Sequence, residues 1–389
     1  MSFSPKSYVK VEVLIPASDA FVLGISKLGS TDKLSATGKT WTDITDYVVR
    51  LRTTTGPALV AGIYPQPQPG TLSLDLQSAT LDPNFNQRLR NGVDIRVTAL
   101  TSPTFCFWYG RITGVYTTYL YDDQNIVTIQ AIDLLDRVMN ASRTSSWTAQ
   151  SAKDRFDALM ATLGFTSRSF SPPTTAVTMA ALPLETRSTG DMLTELVKCE
   201  LGSIYWVADP FQGQDGYIWF DDRSELENVN LYTPDYEFSD VHSTATSHSC
   251  YSGIDIGADL DRMTNDIKAT YATSTTSVAK TNPDQVQLYG SQRLDITLAL
   301  NPAGTALADW VDVALARPLP RTAKRIQARA VGPTGVLQKH VKATVNEVAR
   351  VVKTIGSNTI DTQLLISNVS HTIDSDGWLM DLELWSGLS

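Results

Sequence analysis

Apolar and polar side chains alternate along short segments in the first 145 residues of the chain. Every second residue is a leucine in Thr71–Leu76 and is apolar in Val93–Ala99. Such a period of two buries one face of a β-strand and leaves the other face polar. Turn-forming sequences at Pro67–Gly70 and Asp122–Asn125 separate the segments. The pattern predicts a compact β-barrel with a helical turn at its exit. The polar, glycine-containing residues 28–42 are predicted to form a loop.

Helical spacing of apolar residues replaces this alternation after residue 150. One amphipathic helix is predicted from Ser151 to Gly164, and a second follows Ser188 and ends at Gly202. Ser188 stands three residues before an aspartate, the spacing of a capping box. Strand-like segments follow at Ser203–Val207 and Tyr217–Phe220. Together these elements predict a small α/β domain.

The C-terminal half returns to short strands with Ser/Thr-rich connections. A third helix is predicted at about Ala303–Arg317, where Pro318 ends it. The chain closes with a hairpin whose strands, Asp361–Ile373 and Trp378–Trp385, are joined by an Asp-rich turn at Asp374–Gly377. The β pattern at both ends of the chain indicates two barrels that flank a central insert.

The predicted fold class is mainly β with an α+β insert, in which two tube-forming β-barrel domains flank smaller α/β and β domains. A chain of 389 residues is long enough for two to four domains. Four are predicted. They are an N-terminal barrel over 1–145, the α/β domain over 146–225, a β-rich domain over 226–300 that can add strands to the second barrel, and a helix with the C-terminal barrel over 301–389.

Composition and charge argue against a nucleic-acid-binding protein. Charged residues make up only 19% of the chain, the formal net charge is -9, and no run of Lys or Arg occurs. Binding to phosphates needs basic stripes that displace counterions. An acidic wall would instead repel DNA and let it pass without sticking. Mild acidity is also common among cytosolic proteins, so this observation alone does not select a function.

The cysteines and the N-terminus indicate folding in a reducing compartment. Cys106, Cys199 and Cys250 are widely spaced and odd in number, so they are expected to pack as small apolar residues. The apolar segment at 11–16 is too short for a signal peptide and contains Glu12. No apolar run approaches the roughly 18 residues of a transmembrane helix. The chain is therefore expected to be made in a cytoplasm.

Candidate phosphate and metal sites in the sequence are weak. Gly38–Thr40 resembles the end of a phosphate-binding loop but lacks the glycine five positions earlier, and a loop tip is the better interpretation. His242 and His248 are six residues apart, which fits neither a helical pair nor a zinc spacing, and His340 and His371 are isolated.

Paired carboxylates and aromatic runs also have simpler explanations than a binding or catalytic site. Asp221–Asp222 and Asp374–Asp376 are predicted to lie in turns. The aromatic runs Phe105–Tyr109 and Ile204–Trp206 could stack on sugars or bases, but packing in a core or at a subunit interface is favoured. We therefore expect no enzyme activity and no catalytic, metal or cofactor site.

Several short phrases resemble, in wording and in order, the tail-hub proteins of long-tailed siphophages, many of which are described as minor tail proteins. In the first part of the chain these are DITDYV from Asp43, GTLSLDL from Gly70, LDPN from Leu81, GVDIRV from Gly92, YGRI from Tyr109 and VTIQAIDLLDR from Val127. The series continues with GSIYWV from Gly202, NDIKAT from Asn265, ADWV from Ala308 and ISNVSHTI from Ile366. Each phrase is weak alone, but the ordered series spans nearly the whole chain.

The resemblance implies a baseplate or tail-tip hub without enzyme activity. In that family three chains with two barrel-like tube domains each form a ring that joins the sixfold tail tube to threefold tip components. The implied partners are two further copies of the chain, the distal tail ring protein, the C-terminus of the tape-measure protein, and tip or fibre proteins. DNA would pass through the lumen without sequence-specific binding, and the protein would reside at the tail tip of the virion.

Two alternatives remain open at this point. A hexameric distal tail ring would need one β domain per subunit, whereas this chain is predicted to have two. A receptor- or polysaccharide-binding module would use the aromatic clusters, above all Trp108 and Trp206.

Overall fold

The computed structural model describes most of the chain. The described residues are 7–16, 39–60, 63–78, 80–84, 89–100, 104–120, 125–165, 167–169, 177–208, 216–223, 233–240, 248–249, 251, 253–258, 263–303, 307–316, 321–330 and 341–385.

Short strands dominate the secondary structure. The helices are α1 (Leu134–Met139), α2 (Ala152–Leu163), α3 (Thr189–Glu200), α4 (Pro283–Tyr289) and α5 (Leu307–Leu315), with a 3₁₀ turn at Thr45–Tyr47. The strands are β1 (Val9–Pro16), β2 (Lys39–Asp43), β3 (Val48–Thr55), β4 (Ala58–Val60), β5 (Tyr64–Gln66), β6 (Thr71–Gln77), β7 (Asp94–Ala99), β8 (Phe105–Tyr119), β9 (Asn125–Asp133), β10 (Ser142–Trp147), β11 (Gln150–Ser151), β12 (Ser167–Ser169), β13 (Thr178–Met179), β14 (Leu182–Ser188), β15 (Ser203–Val207), β16 (Tyr217–Asp221), β17 (Tyr236–Ser239), β18 (His248–Ser249), β19 (Gly253–Ala258), β20 (Asp266–Tyr271), β21 (Ser277–Thr281), β22 (Arg293–Leu298), β23 (Arg321–Ala330), β24 (Val348–Ile355), β25 (Asn358–Asp374) and β26 (Gly377–Trp385).

Fourteen of the described strands form one sheet that contains both the first and the last of them. Its main path runs β18-β17-β24-β25-β3-β6-β9-β8-β7-β1-β2, and β26, β23 and β19 continue from the other edge of β25. We call β1–β3 and β6–β9 the N-terminal β-unit, and β17–β19 and β23–β26 the C-terminal β-unit. The predicted fold class is confirmed: the chain is mainly β, and two β-units flank an α+β insert.

Strand β25 joins the two β-units. Its first half pairs with β24, and residues 369–373 pair antiparallel with residues 51–55 of β3. Beyond this seam, Ile373 and Trp378 from the β25–β26 hairpin are buried in the apolar core of the N-terminal β-unit, together with β1, β7 and β9 side chains. The C-terminal hairpin therefore completes a core whose other strands lie some 300 residues earlier in the sequence.

The insert packs around α3 and reaches β5 and the C-terminal β-unit. Its apolar core contains residues of α2, α3, β15, β16, β20 and α5, and also Tyr64 from the N-terminal part and Val348 and Trp385 from the C-terminal part. The predicted helices are confirmed. Ser151 caps α2, accepting from the Asp154 backbone N–H at 3.0 Å, and Gly164 ends the helix with φ 73°.

Three local predictions differ from the structure. Residues 39–42 belong to the edge strand β2, not to a loop, because β1 offers them a pairing edge. Helix α3 ends at Glu200, since Leu201 already adopts a left-handed φ of 58°. Helix α4 was not predicted, although Asn282 as N-cap, Pro283 at the first position and Gly290 after the end are its sequence signals.

The Gly110 position in the YGRI phrase tolerates no side chain. A Cβ there would lie 2.3 Å from the carbonyl oxygen of Ile132 on the neighbouring strand β9 and 2.6 Å from the Trp108 ring. We expect Gly110→Ala to lower the free energy of unfolding by about 1–3 kcal/mol, because the strand has to shift. Chemical denaturation would measure the loss. Gly253→Ala is the control, since nothing lies within 4 Å of a Cβ there.

Candidate functional site

One face of the continuous sheet is polar across the seam between the β-units. Backbone register places Ser370, Thr54, Thr71 and Ile132 in one row across β25, β3, β6 and β9. The neighbouring row contains Thr372, Arg52, Ser73 and Gln130. These eight residues, here called the polar face, are exposed or half-buried, while the alternate residues of β3, β6 and β9 pack into the core. Arg52 is the one charged residue of the two rows.

The sheet ends in strands that can pair with another chain. Within the described residues, β2 pairs only with β1, β18 only with β17 and β19 only with β23, so the branched sheet ends in three strands. The outer backbone N–H and C=O groups of an edge strand are a template for a further strand. The molecule thus combines a polar surface that has one charged residue in its two rows with three strands that are open at one edge, an arrangement suited to assembly.

A groove of about 430 Å³ lies where the two β-units and the insert meet. Its walls come from the start of β8 (Phe105–Phe107), from Tyr205–Ala208 at β15, and from residues 341–345. Thr55, Val369 and His371 at the seam also line it. The groove therefore brings together segments that are far apart in the sequence.

A buried polar link ties the insert to the C-terminal β-unit beside this groove. The side-chain amide of Asn346 donates to Asp221 Oδ2 at 2.6 Å, and the Trp219 indole N–H donates to Asp221 Oδ1. Burial raises the pKa of Asp221 to about 6 even though these hydrogen bonds lower it. The prediction that Asp221 lies in a turn was wrong: it is the last residue of β16, and only 5% of it is exposed. Its partner is 125 residues away, which sequence spacing cannot reveal.

Asn346, the donor in this link, has a left-handed backbone conformation with φ 66°. We expect Asn346→Ala to cost about 2–4 kcal/mol, since it leaves a buried carboxylate short of a donor and places Ala in a disfavoured φ. Asn346→Gly loses the donor but tolerates the backbone, so it should be about 1–2 kcal/mol milder. Urea denaturation of both variants measures the difference. Equal losses would contradict the backbone part of the explanation.

His371 lies in strand β25 and fills a core position. Its Nδ1 accepts the indole N–H of Trp378 at 3.2 Å, and the Phe107 ring lies 5.0 Å away between centroids. Burial lowers the pKa of His371 to about 4, so the ring is neutral at pH 7. His248 belongs to strand β18, whereas His242 and His340 lie outside the described residues.

Two aspartates of the phage-like phrases are structural. Asp133 caps α1 through the Leu135 N–H at 2.9 Å and accepts the Gly70 N–H at 2.6 Å. Burial raises the pKa of Asp133 to about 7 against the lowering effect of these hydrogen bonds. Asp82 of the LDPN phrase accepts the Tyr119 hydroxyl at 2.8 Å and thereby fastens its loop to β8. These structural hydrogen bonds account for the presence of both aspartates in the phrases without any catalytic role.

The remaining candidate residues in the described part of the chain have structural positions. Lys39 and Thr40 lie in β2, and Gly38 is outside the described residues. The Asp376 N–H donates to Asp374 Oδ1 at 2.9 Å, which confirms the predicted turn. Cys106 and Cys199 are buried thiols, and Cys250 lies outside the described residues. Trp108 is only 1% exposed, so it cannot stack on a sugar.

Metal ligands and membrane spans were sought in the part of the chain that the structure describes. No group of three or more His, Cys, Asp or Glu side chains there could hold a metal ion. No helix there is long and apolar enough to cross a membrane.

Comparison with known proteins identifies the fold through structures alone. No protein-family model matches the chain, and no curated protein matches it. The tail protein from Neisseria meningitidis MC58 has 12% sequence identity and a TM-score of 0.61, over 97% of this chain and 96% of that one. The 43 kDa tail protein of prophage MuSo2 from Shewanella oneidensis has 12% identity and a TM-score of 0.58, over 97% and 96%.

A third similar structure comes from a secretion system. It is an Escherichia coli component of the type VI secretion system, described as structurally similar to T4 bacteriophage tail proteins, with 9% identity and a TM-score of 0.52 over 87% of this chain and 73% of that one. At these identities the likeness concerns the fold. The chain has the fold of phage tail proteins, as the resemblance implied, and its assignment to siphophages stays a prediction.

Proposed function

We propose that the protein is a structural subunit of a phage tail, the tail-tip or baseplate hub of a long-tailed siphophage. Three chains, with two β-units each, would form a ring between the sixfold tail tube and threefold tip components. The distal tail ring protein and the C-terminus of the tape-measure protein would contact it from above, and tip or fibre proteins from below. The protein would have no enzyme activity and no catalytic, metal or cofactor site.

The observation that carries this proposal is the single sheet running through both β-units. Because β25 pairs with β3, the polar face spans the seam without a break. Two β-units held in one sheet give each subunit two laterally arranged segments of a ring wall, so three subunits supply six. The similarity to tail proteins over 97% of the chain supports the same role.

The polar face suits the lining of a DNA channel. Its side chains are mostly hydroxyls and amides, and Arg52 is its one cation in the two rows. Phosphate binding grows with the number of cations that contact the backbone, so such a surface would let DNA slide. The formal net charge of -9 acts in the same direction.

The position and number of subunits can be tested together by cryo-electron microscopy of purified tails. The proposal expects threefold density at the tip, with the polar face toward the lumen. Sixfold density would favour the distal tail ring instead. A chain that stays a stable 42.5 kDa monomer and occupies no place in tails would refute both.

The lumen assignment has its own test in particles assembled with variants. We expect Ser73→Lys combined with Gln130→Lys to slow DNA release, because both new cations lie on the polar face. Leu184→Lys is the control, since Leu184 is 71% exposed on β14, outside that face. Equal release from all three particles would place the polar face away from the DNA.

A further inference from the structure

The groove between β8, β15 and residues 341–345 has the features of a strand-binding site. We infer that it receives an extended segment of a partner polypeptide, which adds as a strand to β15 and places an acidic residue beside Lys342. The inference concerns a surface other than the polar face and does not depend on the hub assignment.

Strand β15 has one edge without a paired strand among the described residues. This strand ends its sheet: it pairs with β16 from Ser203↔Asp221 to Val207↔Tyr217, and no other described strand pairs with it. Tyr205, Trp206 and Val207 line the groove. The outer backbone groups of a five-residue edge strand extend over about 17 Å and can bind an added strand.

The opposite wall leaves room for that strand. Strand β8 begins at Phe105, but its pairing with β9 begins only at Gly110. Phe105, Cys106 and Phe107 of this part line the groove, while Leu134 of α1 packs against Cys106 and Tyr109 beside it. A volume of about 430 Å³ separates the walls. Pockets of this size usually hold small ligands through a few convergent polar side chains, whereas here the extended backbone of β15 forms one wall.

The walls favour apolar side chains on the incoming segment. Phe105 and Phe107 lie 6.3 Å apart between ring centroids. Trp206 packs on the small cluster of Cys106, Tyr109 and Leu134, which fixes its position. Phe105, Phe107 and Trp206 therefore present aromatic surface to an incoming segment.

Lys342 gives the site a charge preference. Its ammonium lies 5.5 Å from the Phe105 ring centroid, over the aromatic wall. No carboxylate within the described part of the chain forms an ion pair with Lys342. A cation that forms no ion pair with the described residues, at the rim of an apolar groove, is complementary to an Asp or Glu of the incoming segment.

The test uses N-acetylated, C-amidated hexapeptides from a positional-scanning library, each with one Asp, and the full-length protein. The tightest peptide should bind below about 1 mM by fluorescence polarisation. Lys342→Gln should weaken the binding of this peptide about three- to fivefold. It should leave unchanged the binding of the same peptide with Asn in place of Asp. Lys153→Gln is the control, because Lys153 lies on the surface of α2 beside Asp157. Equal weakening of the Asp and Asn peptides would refute the charge preference.

N-methylated peptides test the strand geometry. An added strand presents alternate N–H groups to β15, so methylation of one alternate set should abolish binding and methylation of the other should preserve it. Hydrogen exchange should slow at residues 204–207 when the peptide binds. The inference is overturned if no hexapeptide binds, if both methylated sets behave alike, or if exchange at 204–207 does not change.

Discussion

Replacing Trp378 with Ala should destabilise the N-terminal β-unit, although Trp378 lies in the last strand of the chain. The side chain is 2% exposed and packs in the core formed by β1, β7 and β9, and its indole N–H donates to His371. Removal of a buried Trp leaves a cavity and typically costs about 3–5 kcal/mol. We expect a loss of that size in chemical denaturation.

Hydrogen exchange would show where the loss occurs. Since the cavity opens in the N-terminal core, amide protection should fall in β1 and β7 as well as in β26. Tyr116→Ala is the matched control, because Tyr116 is an aromatic residue on β8 that is 57% exposed. Its expected effect is within about 0.5 kcal/mol. A loss of protection confined to the C-terminal β-unit would contradict a shared core.

The stability of the protein should fall as pH rises from about 5 to about 8, and Glu200 should account for a large part of the change. Burial, with the neighbouring Asp222 carboxylate, raises the pKa of Glu200 from 4.5 to about 8. The folded state therefore holds a proton that the unfolded state has already released. This contribution is fully present below pH 4.5 and is lost as pH rises toward 8. Its size is on the order of 2–4 kcal/mol.

Glu200→Gln isolates this contribution. The amide does not ionise but can still accept the Val177 N–H that Glu200 accepts at 3.3 Å. We expect the variant to be more stable than the parent at pH 8 and close to it at pH 5, as measured by urea denaturation across the range. Asp133 and Glu347, whose pKa values burial raises to about 7, should leave a smaller slope of the same sign.

The control for this pH dependence is a carboxylate on the surface. Glu185 lies on β14 with 41% of its side chain exposed, so Glu185→Gln should retain the parental slope. Asp361, whose pKa is lowered beside Arg350, acts in the opposite direction only at acidic pH, as it becomes protonated. His371, whose pKa burial lowers from 6.5 to about 4, opposes the slope below about pH 6.5, and it does so equally in the parent and in Glu200→Gln. An unchanged slope in Glu200→Gln would show that Glu200 is ionised in the folded protein at neutral pH.

The candidate site could be predicted from the sequence only in part. The aromatic run at 105–109 and the strand at 203–207 were recognised as packing elements, and both line the groove. No sequence pattern indicates Lys342 as a site residue, because a single lysine in a polar segment belongs to no motif with a defined spacing. The link between Asp221 and Asn346 was missed for the same reason, since hydrogen bonds between remote segments leave no local pattern.

Elements whose signals are local follow from the sequence alone. Period-two alternation defined strands such as β6 and β7, and the caps Ser151 and Ser188 defined where α2 and α3 begin, because these signals act within a few residues. Which strands become neighbours depends on contacts between segments that are remote in the sequence. Alternation specifies which face of β25 is buried, but it does not specify that the edge of β25 pairs with β3. The burial of Trp378 in the N-terminal core depends on this pairing.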